Sequence, residues 1–493
     1  MPHATASKFR LAALALLAGA LADPARPAPA SAPPWTLPPA IATALDNAHV
    51  PASALALWVQ PVDAATPSWG WNPDFGVNPA SVFKLVTTSA ALDRLGPAWT
   101  WKTGVYLTGP VRNGVLDGSV AIVGGGDPSL VMERVWLLLR QLRDAGVRDI
   151  RGDIVLDRSA FAAATHSPAD FDNAPSEPYN VLPDALLMNF RAVTLSFHPD
   201  PSAGVARVTA QPPLAGLAIA ARVPLAKGPC DDWRGALRLA ADDPARWRFA
   251  GAYPASCGPR SWPLAYPDPA SYERRLVGAL WREAGGRLAG QVRDGTLPEG
   301  AVPAFTFESP QLAQILRDIN KYSNNTMAEQ LFLTLAANAA PAPAPSASAA
   351  SPEQARATLT QWLHQRLGAA ADGVVVVNGS GLARETRISA RMLGQLLQSD
   401  WASPTMPELL SSLPIVGVDG TLRRSTAPAG RAHLKTGSMR EVLAVAGYVL
   451  ADSGRRYILV AVVNDPNAGA ARAALDATIA WVAHDPAHPS GTP

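Results

Sequence analysis

Residues 78–85 read NPASVFKL, and this stretch decides how the chain is interpreted because it places a serine and a lysine at a helix start. Asn78 is a favoured N-cap residue and Pro79 is favoured at the first helical position, so together they predict where the helix begins. Ser81 would lie in the first turn, where free backbone N–H groups favour developing negative charge. Lys84 follows three residues later and would share one helix face with Ser81.

A lysine in partly desolvated surroundings loses proton affinity and becomes a base towards a serine hydroxyl. Ser81 and Lys84 form the only S-x-x-K in the chain. Because the pattern is so short, a solvent-facing lysine beside a helix-start serine is an alternative explanation. Other segments must therefore decide between a catalytic pair and an ordinary helix start.

A second candidate segment is Ser323–Asn325, the only S-x-N in the chain. It lies at the junction between a helix predicted for residues 311–322 and another that begins near Thr326. A structural alternative is that Asn325 or Thr326 caps the second helix, with Glu329 completing a capping box. A helix junction is also a rigid mount for polar side chains, so a cap and a catalytic role are compatible.

The tripeptide Lys-Thr-Gly occurs twice, beginning at Lys102 and at Lys435, and at most one copy can lie in a given active site. Lys102 follows the first predicted helix and leads into a new module, whereas Lys435 follows the S-x-N segment and opens three predicted antiparallel strands. The order S-x-x-K, S-x-N, K-T-G is typical of penicillin-binding proteins and the related β-lactamases. This order selects Lys435 and makes Lys102 incidental.

A large insertion separates the first two motifs, since Ser323 lies 242 residues after Ser81 (323 − 81) but only 112 before Lys435 (435 − 323). With this spacing the chain resembles the class C low-molecular-mass penicillin-binding proteins, similar to penicillin-binding protein 4. These are serine D-Ala-D-Ala carboxypeptidases and endopeptidases of the bacterial cell wall. The resemblance extends from about residue 54 to residue 464 and rests on the segments NPASVFKL, GGGDPSL, GDIVLD, PYNVLPDALLMNF, NGSGLARETRIS and GVDGTL.

Predicted strands at both ends of the chain, with helices between them, indicate that the first and last segments fold together. The resemblance implies an α/β (α+β) transpeptidase-like or β-lactamase-like domain, in which helices flank an antiparallel sheet. We expect residues 36–98 and 300–493 to form this catalytic domain. Residues 99–299, whose short apolar runs are broken by turns, would form two smaller inserted β-rich domains.

The resemblance also implies a role for each motif residue. Ser81 would attack the carbonyl of the penultimate D-Ala and form an acyl-enzyme, with Lys84 taking its proton. The identity of the base is disputed in these enzymes, so that assignment stays open. Ser323 would relay a proton to the departing D-Ala amine, and Asn325 would hydrogen-bond the substrate backbone.

The K-T-G segment would complete the site on its strand. Lys435 and Thr436 would receive the terminal carboxylate or polarise the proton relay. Ser438 would provide one backbone N–H of an oxyanion hole and Ser81 the other. Gly437 would let the substrate lie close to the strand, because it has no side chain.

Three polar residues outside the motifs are candidates for binding the stem peptide. Asp157 matches a position that would receive the amino group of meso-diaminopimelate, although it is equally well explained as a turn-former at a strand end. Arg384 would meet a carboxylate, or would instead form a salt bridge. Arg440 stands where relatives commonly have glutamine, so a positive charge at the rim leaves the preferred stem peptide open.

The N-terminus predicts export. Lys8 and Arg10 precede an apolar run that is too short to span a bilayer and that ends in the A-x-A pattern of residues 20–22. We therefore expect a signal peptide over residues 1–22 and a disordered Pro/Ala-rich leader over residues 23–35. The mature protein would be periplasmic, soluble or loosely membrane-associated, and without a transmembrane anchor.

Composition restricts the remaining functions. The net charge of +2 gives no indication of nucleic acid as a partner. Cys230 and Cys257 would form one disulfide in an oxidising compartment, or would remain two buried thiols. No spacing of cysteine and histidine predicts a metal, and no cofactor is expected. By resemblance, the partners are peptidoglycan muropeptides and, as covalent inhibitors, β-lactams.

Two alternative functions use the same motifs. The first is a β-lactamase-like serine hydrolase, which the insertion and the absence of an obvious deacylating glutamate motif disfavour. The second is a non-catalytic protein that binds penicillin or peptidoglycan and turns over poorly. The presence of every motif side chain argues against this second alternative.

Overall fold

The protein is described by a computed structural model that covers residues 36–65, 69–339 and 349–486. The predicted signal peptide and leader, residues 1–35, lie outside this part of the chain. Within the described residues, no helix has both the length and the apolar character that crossing a membrane requires.

The described residues begin with a helix, a hairpin and a second helix. Here the central sheet receives its first two strands, and the turn that carries Ser81 leads into the second helix. The elements are α1 (Pro39–Asn47), β1 (Leu55–Pro61), β2 (Trp69–Trp71), a 3₁₀ turn (Ala80–Phe83) and α2 (Lys84–Leu95). α2 ends at Leu95 and is followed by Gly96, whose φ of 80° lies in the left-handed region that glycine tolerates.

The inserted segment is built from short strands and three helices. Its strands are β3 (Lys102–Leu107), β4 (Val111–Arg112), β5 (Val115–Leu116), β6 (Val120–Val123), β7 (Asp149–Ile150), β8 (Ile154–Asp157), β9 (Ala192–Asp200), β10 (Val205–Gln211), β11 (Ala218–Ile219), β12 (Arg222–Ala226), β13 (Leu239–Ala240), β14 (Arg246–Phe249), β15 (Tyr253–Pro254), β16 (Arg260–Ala265), β17 (Arg287–Leu288), β18 (Val292–Asp294) and β19 (Val302–Glu308). Its helices are α3 (Met132–Asp144), α4 (Trp233–Leu237) and α5 (Pro269–Glu283).

The C-terminal segment returns to the first module with helices followed by three long strands. Its elements are α6 (Leu312–Lys321), α7 (Asn325–Ala337), α8 (Pro352–Leu367), α9 (Ala390–Trp401), α10 (Met406–Ser412), β20 (Ala432–Met439), β21 (Val442–Leu450), β22 (Arg456–Asn464) and α11 (Arg472–Ala483). The apolar residues of α6 recur at the spacing of one helix face, and that face is buried.

The central sheet combines two strands from the N-terminal segment with three from the C-terminal segment. Its strand order is β2-β1-β22-β21-β20, and every neighbouring pair is antiparallel. Side chains alternate between the two faces, so β22 places Val460 and Val462 in a core shared with α2 and the helices α6–α9. Leu459 and Val463 of the same strand enter a second core with α1 and α11. The sheet is therefore covered by helices on both sides.

The inserted segment has its own core and extends further than predicted. One of its two five-stranded sheets has the order β18-β8-β6-β3-β19, and β19 pairs antiparallel with β3. The expected boundary at residue 299 falls short of β19, because pairing with β3 ties residues 302–308 to the insertion. The segment is also less purely β than expected, since α3 and α5 supply several of its buried side chains. Cys230 and Cys257 form a disulfide within it.

The chain around Ser81 differs from the predicted helix start. The α-helix begins only at Lys84, and residues 80–83 form a 3₁₀ turn. Asn78 does not cap the α-helix; its Oδ1 accepts the N–H of Ala80 at 2.8 Å, which stabilises a local turn. A 3₁₀ turn has three residues per turn, so side chains three positions apart lie almost directly above one another. Ser81 and Lys84 meet for this reason.

Gly437 on β20 is required by the packing of this turn. A Cβ atom built on Gly437 would overlap the carbonyl oxygen of Pro79 and contact Ala80. Ala444, its partner on β21, is also small. The missing side chain therefore makes room for the turn that carries Ser81, which is a different reason from the close approach of substrate that we expected.

We predict that Gly437→Ala lowers the free energy of unfolding by about 1–3 kcal/mol, because the methyl group has to displace the backbone of the turn. Urea unfolding followed by circular dichroism measures this change. Gly469→Ala is the matched control, since nothing lies within 4 Å of a Cβ at that position. Equal stability of the two variants would contradict the packing explanation.

Candidate active site

Lys84 is completely buried, and its amine has three neighbours that define its chemistry. Nζ lies 2.9 Å from Ser81 Oγ, 2.7 Å from Asn325 Oδ1 and 2.8 Å from the carbonyl oxygen of Ser380. A neutral amine has two N–H donors and one lone pair. With the two donors directed to Asn325 and Ser380, the lone pair is available to the hydroxyl proton of Ser81.

A second lysine and serine meet on the opposite side of the site. Lys435 on β20 is also fully buried, and its Nζ donates to Ser323 Oγ at 2.9 Å and to the carbonyl oxygen of Thr436 at 2.7 Å. Ser323 has a φ of 58°, in the left-handed region that is uncommon for serine, and Ala80 before Ser81 has a φ of 47°. Left-handed backbone of this kind recurs at functional sites, where surrounding contacts hold it in place.

Both serines face one cavity of about 230 Å³. The K-T-G residues line it as well, and Thr436 Oγ1 lies 2.7 Å from Thr421 Oγ1. The motif residues and neighbours on this wall are Ser81, Ser323, Thr421, Thr436, Gly437 and Ser438. A larger cavity of about 980 Å³ is lined entirely by residues of the inserted segment and by none of the motif residues.

Burial dominates the electrostatics of the two lysines. Loss of hydration lowers the pKa of Lys84 to about 7, against a smaller opposing effect of Glu329. Burial, together with the like charge of Lys84, holds the pKa of Lys435 well below its ordinary value. A neutral Lys84 amine is therefore accessible near pH 7, as a base towards the Ser81 hydroxyl would require.

The junction between α6 and α7 positions Ser323 and Asn325, but its cap differs from the predicted one. Asn324 is the N-cap and accepts the N–H of Met327 at 3.0 Å. Asn325 opens the helix instead and directs its amide to Lys84 and to the carbonyl oxygen of Tyr179, at 3.2 Å. Because Asn324 caps the helix, the Asn325 side chain can contact Lys84 in the site.

Asp157 is buried at the end of β8, and both of its carboxylate oxygens are occupied. Oδ1 accepts the N–H of Ser159 at 2.8 Å, and Oδ2 accepts the N–H of Leu297 at 2.6 Å. This is the arrangement that the turn-forming alternative requires. Binding of a substrate amine by Asp157 stays a prediction.

Arg384 and Arg440 line one cleft of about 340 Å³ at the end of β20, together with Arg387. The Arg384 guanidinium lies 5.3 Å from the centre of the Phe171 ring and is exposed. Asn78, just before the Ser81 turn, also lines this cleft and donates to the carbonyl oxygens of residues 383 and 384. The cleft therefore adjoins the Ser81 turn. Lys102, in contrast, is an exposed residue of β3 in the inserted sheet.

The sequence analysis missed several residues that support the site. Ser380 provides a carbonyl to Lys84, and Thr421 contacts Thr436. Lys321 binds Asp419 at 2.6 Å and thereby ties the loop of Thr421 to α6. A signal was present, because NGSGLARETRIS and GVDGTL were among the segments that carried the resemblance. Sequence alone did not show which motif residues these segments contact, because Ser380 is far from Lys84 in the chain.

A serine–lysine pair that faces a second lysine–serine pair across the edge of an antiparallel sheet defines the class of serine enzymes that includes penicillin-binding proteins and β-lactamases. The model of the D-Ala-D-Ala carboxypeptidase 3 (S13) family matches residues 37–484, and the chain belongs to this family. The predicted resemblance, the α/β fold class and the enzyme class, a serine-type D-Ala-D-Ala carboxypeptidase, are thereby confirmed.

Relatives extend over most of the chain. It is 30% identical to the D-alanyl-D-alanine carboxypeptidase of Actinomadura sp. (strain R39), over 85% of this chain and 79% of that protein. It is 25% identical to the D-alanyl-D-alanine carboxypeptidase DacB of Haemophilus influenzae, over 79% and 81%. The crystal structure of penicillin-binding protein 4 from Haemophilus influenzae shares the fold with a TM-score of 0.71 and 20% identity, over 89% of this chain and 99% of that one.

We predict that Lys84 titrates near pH 7, because burial disfavours its charged form. Incorporation of lysine labelled with ¹³C at Cε allows the titration to be followed by NMR, and Lys84→Met identifies the signal. Lys102→Met is the matched control, because Lys102 is exposed in the inserted sheet and its loss should leave the Lys84 signal in place. A Lys84 signal that stays in the charged form up to pH 9 would contradict the account.

Proposed function

We propose that this chain is an exported D-alanyl-D-alanine carboxypeptidase that acts through an acyl-enzyme on Ser81 and is inhibited covalently by penicillin. The observation that carries the proposal is the 2.9 Å contact of Lys84 Nζ with Ser81 Oγ. In the neutral amine, the hydrogen bonds to Asn325 and Ser380 use the two hydrogens and leave the lone pair for Ser81. A base whose lone pair points at a hydroxyl is what nucleophilic activation requires.

Acylation follows from this geometry. Ser81 Oγ attacks the carbonyl carbon of the penultimate D-Ala while Lys84 Nζ takes its proton. Negative charge then develops on the substrate oxygen, and the backbone N–H groups of Ser81 and Ser438 form the oxyanion hole. Two preorganised donors of this kind stabilise the transition state by roughly 3 kcal/mol each.

Release of the first product needs a proton on the departing amine. We assign this step to the pair of Ser323 and Lys435. The hydrogen bond from Lys435 Nζ to Ser323 Oγ, and the cavity that Ser323 shares with Ser81, support the assignment. Water then attacks the acyl-enzyme and gives its proton to the Ser323–Lys435 pair, which restores it. Lys84 returns its proton to Ser81, and the shortened peptide leaves. Thr436 and Lys435 would bind the terminal carboxylate.

The same chemistry extends to D,D-endopeptidase activity. A cross-link and a terminal D-Ala-D-Ala present the same type of bond, because both contain an amide after D-Ala. A predatory endopeptidase of Bdellovibrio bacteriovorus shares the fold with a TM-score of 0.54 and 15% identity. We propose that the chain acts on terminal D-Ala residues and on cross-links of peptidoglycan in the periplasm.

Penicillin inhibition would follow from acylation without efficient hydrolysis. The β-lactam amide occupies the position of the peptide bond, so opening of its ring would leave an ester on Ser81. Penicillin-binding protein 4 of Haemophilus influenzae has been crystallised in complex with a β-lactam. That structure shares the fold of this chain with a TM-score of 0.64 and 20% identity.

The two K-T-G copies offer a matched test of the site. We predict that Lys435→Met lowers the rate of D-Ala release from a pentapeptide by roughly 10²–10⁴-fold, because the proton relay through Ser323 is lost. Lys102→Met should leave the rate unchanged, since Lys102 lies exposed in the inserted sheet. Equal activities of the two variants would contradict the assignment.

We further propose that the cleft of Arg384 and Arg440 binds a carboxylate of the stem peptide. Arg440 is exposed, and its guanidinium has no hydrogen-bonded or ionic partner within the described residues, so it remains available to a ligand. Glu441 and Asp465 line the same cleft and partly offset its positive charge. Peptides with a free carboxylate at the third residue should therefore be preferred modestly over amidated ones.

We predict that Arg440→Gln reduces this preference by about threefold, since an exposed ion pair contributes less than about 1 kcal/mol. The ratio of kcat/KM for the free and the amidated pentapeptide measures it. Arg112→Gln is the control, because Arg112 is an exposed arginine of the inserted segment. An unchanged ratio in Arg440→Gln would remove Arg440 from substrate recognition.

A further inference from the structure

Glu329 lies on α7, four residues after Asn325 and therefore on the same helix face. Its Oε1 accepts a hydrogen bond from Ser380 Oγ at 2.8 Å. The carbonyl oxygen of Ser380 in turn accepts the hydrogen bond from Lys84 Nζ at 2.8 Å. One residue, Ser380, thus connects the carboxylate to the buried amine.

This arrangement excludes the capping role that the sequence suggested for Glu329. The N-cap of α7 is Asn324, so the residue that would complete a capping box is Met327 rather than Glu329. Glu329 also forms no ion pair within the described part of the chain. Its carboxylate is committed to Ser380, beside the site.

The charged groups that act on Lys84 come from two elements. Glu329 approaches from α7, and Lys435 approaches from β20 and carries the same sign as Lys84. The remaining contacts of the Lys84 amine, from Ser81, Asn325 and Ser380, are neutral. Glu329 is therefore the carboxylate that opposes the effect of burial on Lys84.

We propose that Glu329 is a positioning residue for the acyl-transfer reaction, which holds the Ser380 carbonyl against Lys84 and sets the pH range in which Lys84 becomes a base. This inference rests on the proposed function of Ser81 and Lys84. No group of Glu329 touches the reacting atoms; it acts through the Ser380 bridge and through its charge.

The electrostatics agree with this role. Burial raises the pKa of Glu329 to about 7, and burial lowers that of Lys84 to about 7. Two interacting groups that titrate in the same range gain and lose protons as a pair. Above this range the carboxylate is charged and favours the ammonium form of Lys84, so its removal should let Lys84 lose its proton at lower pH.

The test is the pH dependence of acylation by a fluorescent penicillin in Glu329→Gln. The rate should rise with pH as Lys84 becomes neutral, and in the variant the midpoint of this rise should move down by roughly one pH unit. A purely structural role would instead scale the rate by one factor at every pH. Glu353→Gln is the control, because Glu353 is an exposed glutamate on α8.

Ser380→Ala is the second variant, since it removes the hydroxyl that donates to Glu329 but keeps the carbonyl that binds Lys84. Without this bond Glu329 ionises less readily, so the midpoint should move in the same direction as in Glu329→Gln. An unshifted midpoint in both variants, or loss of folding in both, would overturn the positioning role. Absence of labelling in the unmodified protein would overturn the proposed function itself, which distinguishes the two failures.

Discussion

A lysine amine that is removed from water without a carboxylate in contact holds its proton weakly, because the charged form loses its hydration. Lys84 is such a side chain: it is fully buried and bonded only to neutral oxygens. The reactivity that we propose for Ser81 depends on this constraint. An exposed Lys84 at the same distance would keep its proton at neutral pH and would not accept another.

Three separate elements of the fold enclose the Lys84 amine. α7 provides Asn325, the loop before α9 provides Ser380, and β20 closes the remaining side. The sheet can approach this closely because Gly437 leaves room for the Ser81 turn. The same strand carries Lys435 on the same face as Gly437, so one packing contact brings the two serine–lysine pairs together.

Sequence patterns predicted the parts of the site that depend on local spacing and order. Ser81 and Lys84 are three positions apart, and the order of the motifs separated Lys435 from Lys102 without any structure. The patterns failed where a tertiary contact decides the conformation. Ala80 takes a left-handed conformation in a 3₁₀ turn, where an α-helix start was expected.

The same limit explains two further differences. The sequence predicted Asn325 or Thr326 as the N-cap of α7, but the cap is Asn324. Residues 324 and 325 are both asparagine, so their capping preference is the same, and only the contact of Asn325 with Lys84 distinguishes them. The sequence predicted a capping role for Glu329. In the structure its carboxylate instead accepts a hydrogen bond from Ser380, which lies 51 residues away in the chain. The end of the insertion was placed too early because β19 pairs with β3, a partner that lies far back in the chain.

The central claim is that Ser81 is the residue that becomes acylated. Peptide mapping by mass spectrometry after reaction with penicillin G tests it most directly. The account predicts one adduct with the mass of the intact antibiotic, on the peptide that contains Ser81, and no adduct in Ser81→Ala. An adduct on any other residue, or undiminished labelling of Ser81→Ala, would contradict it.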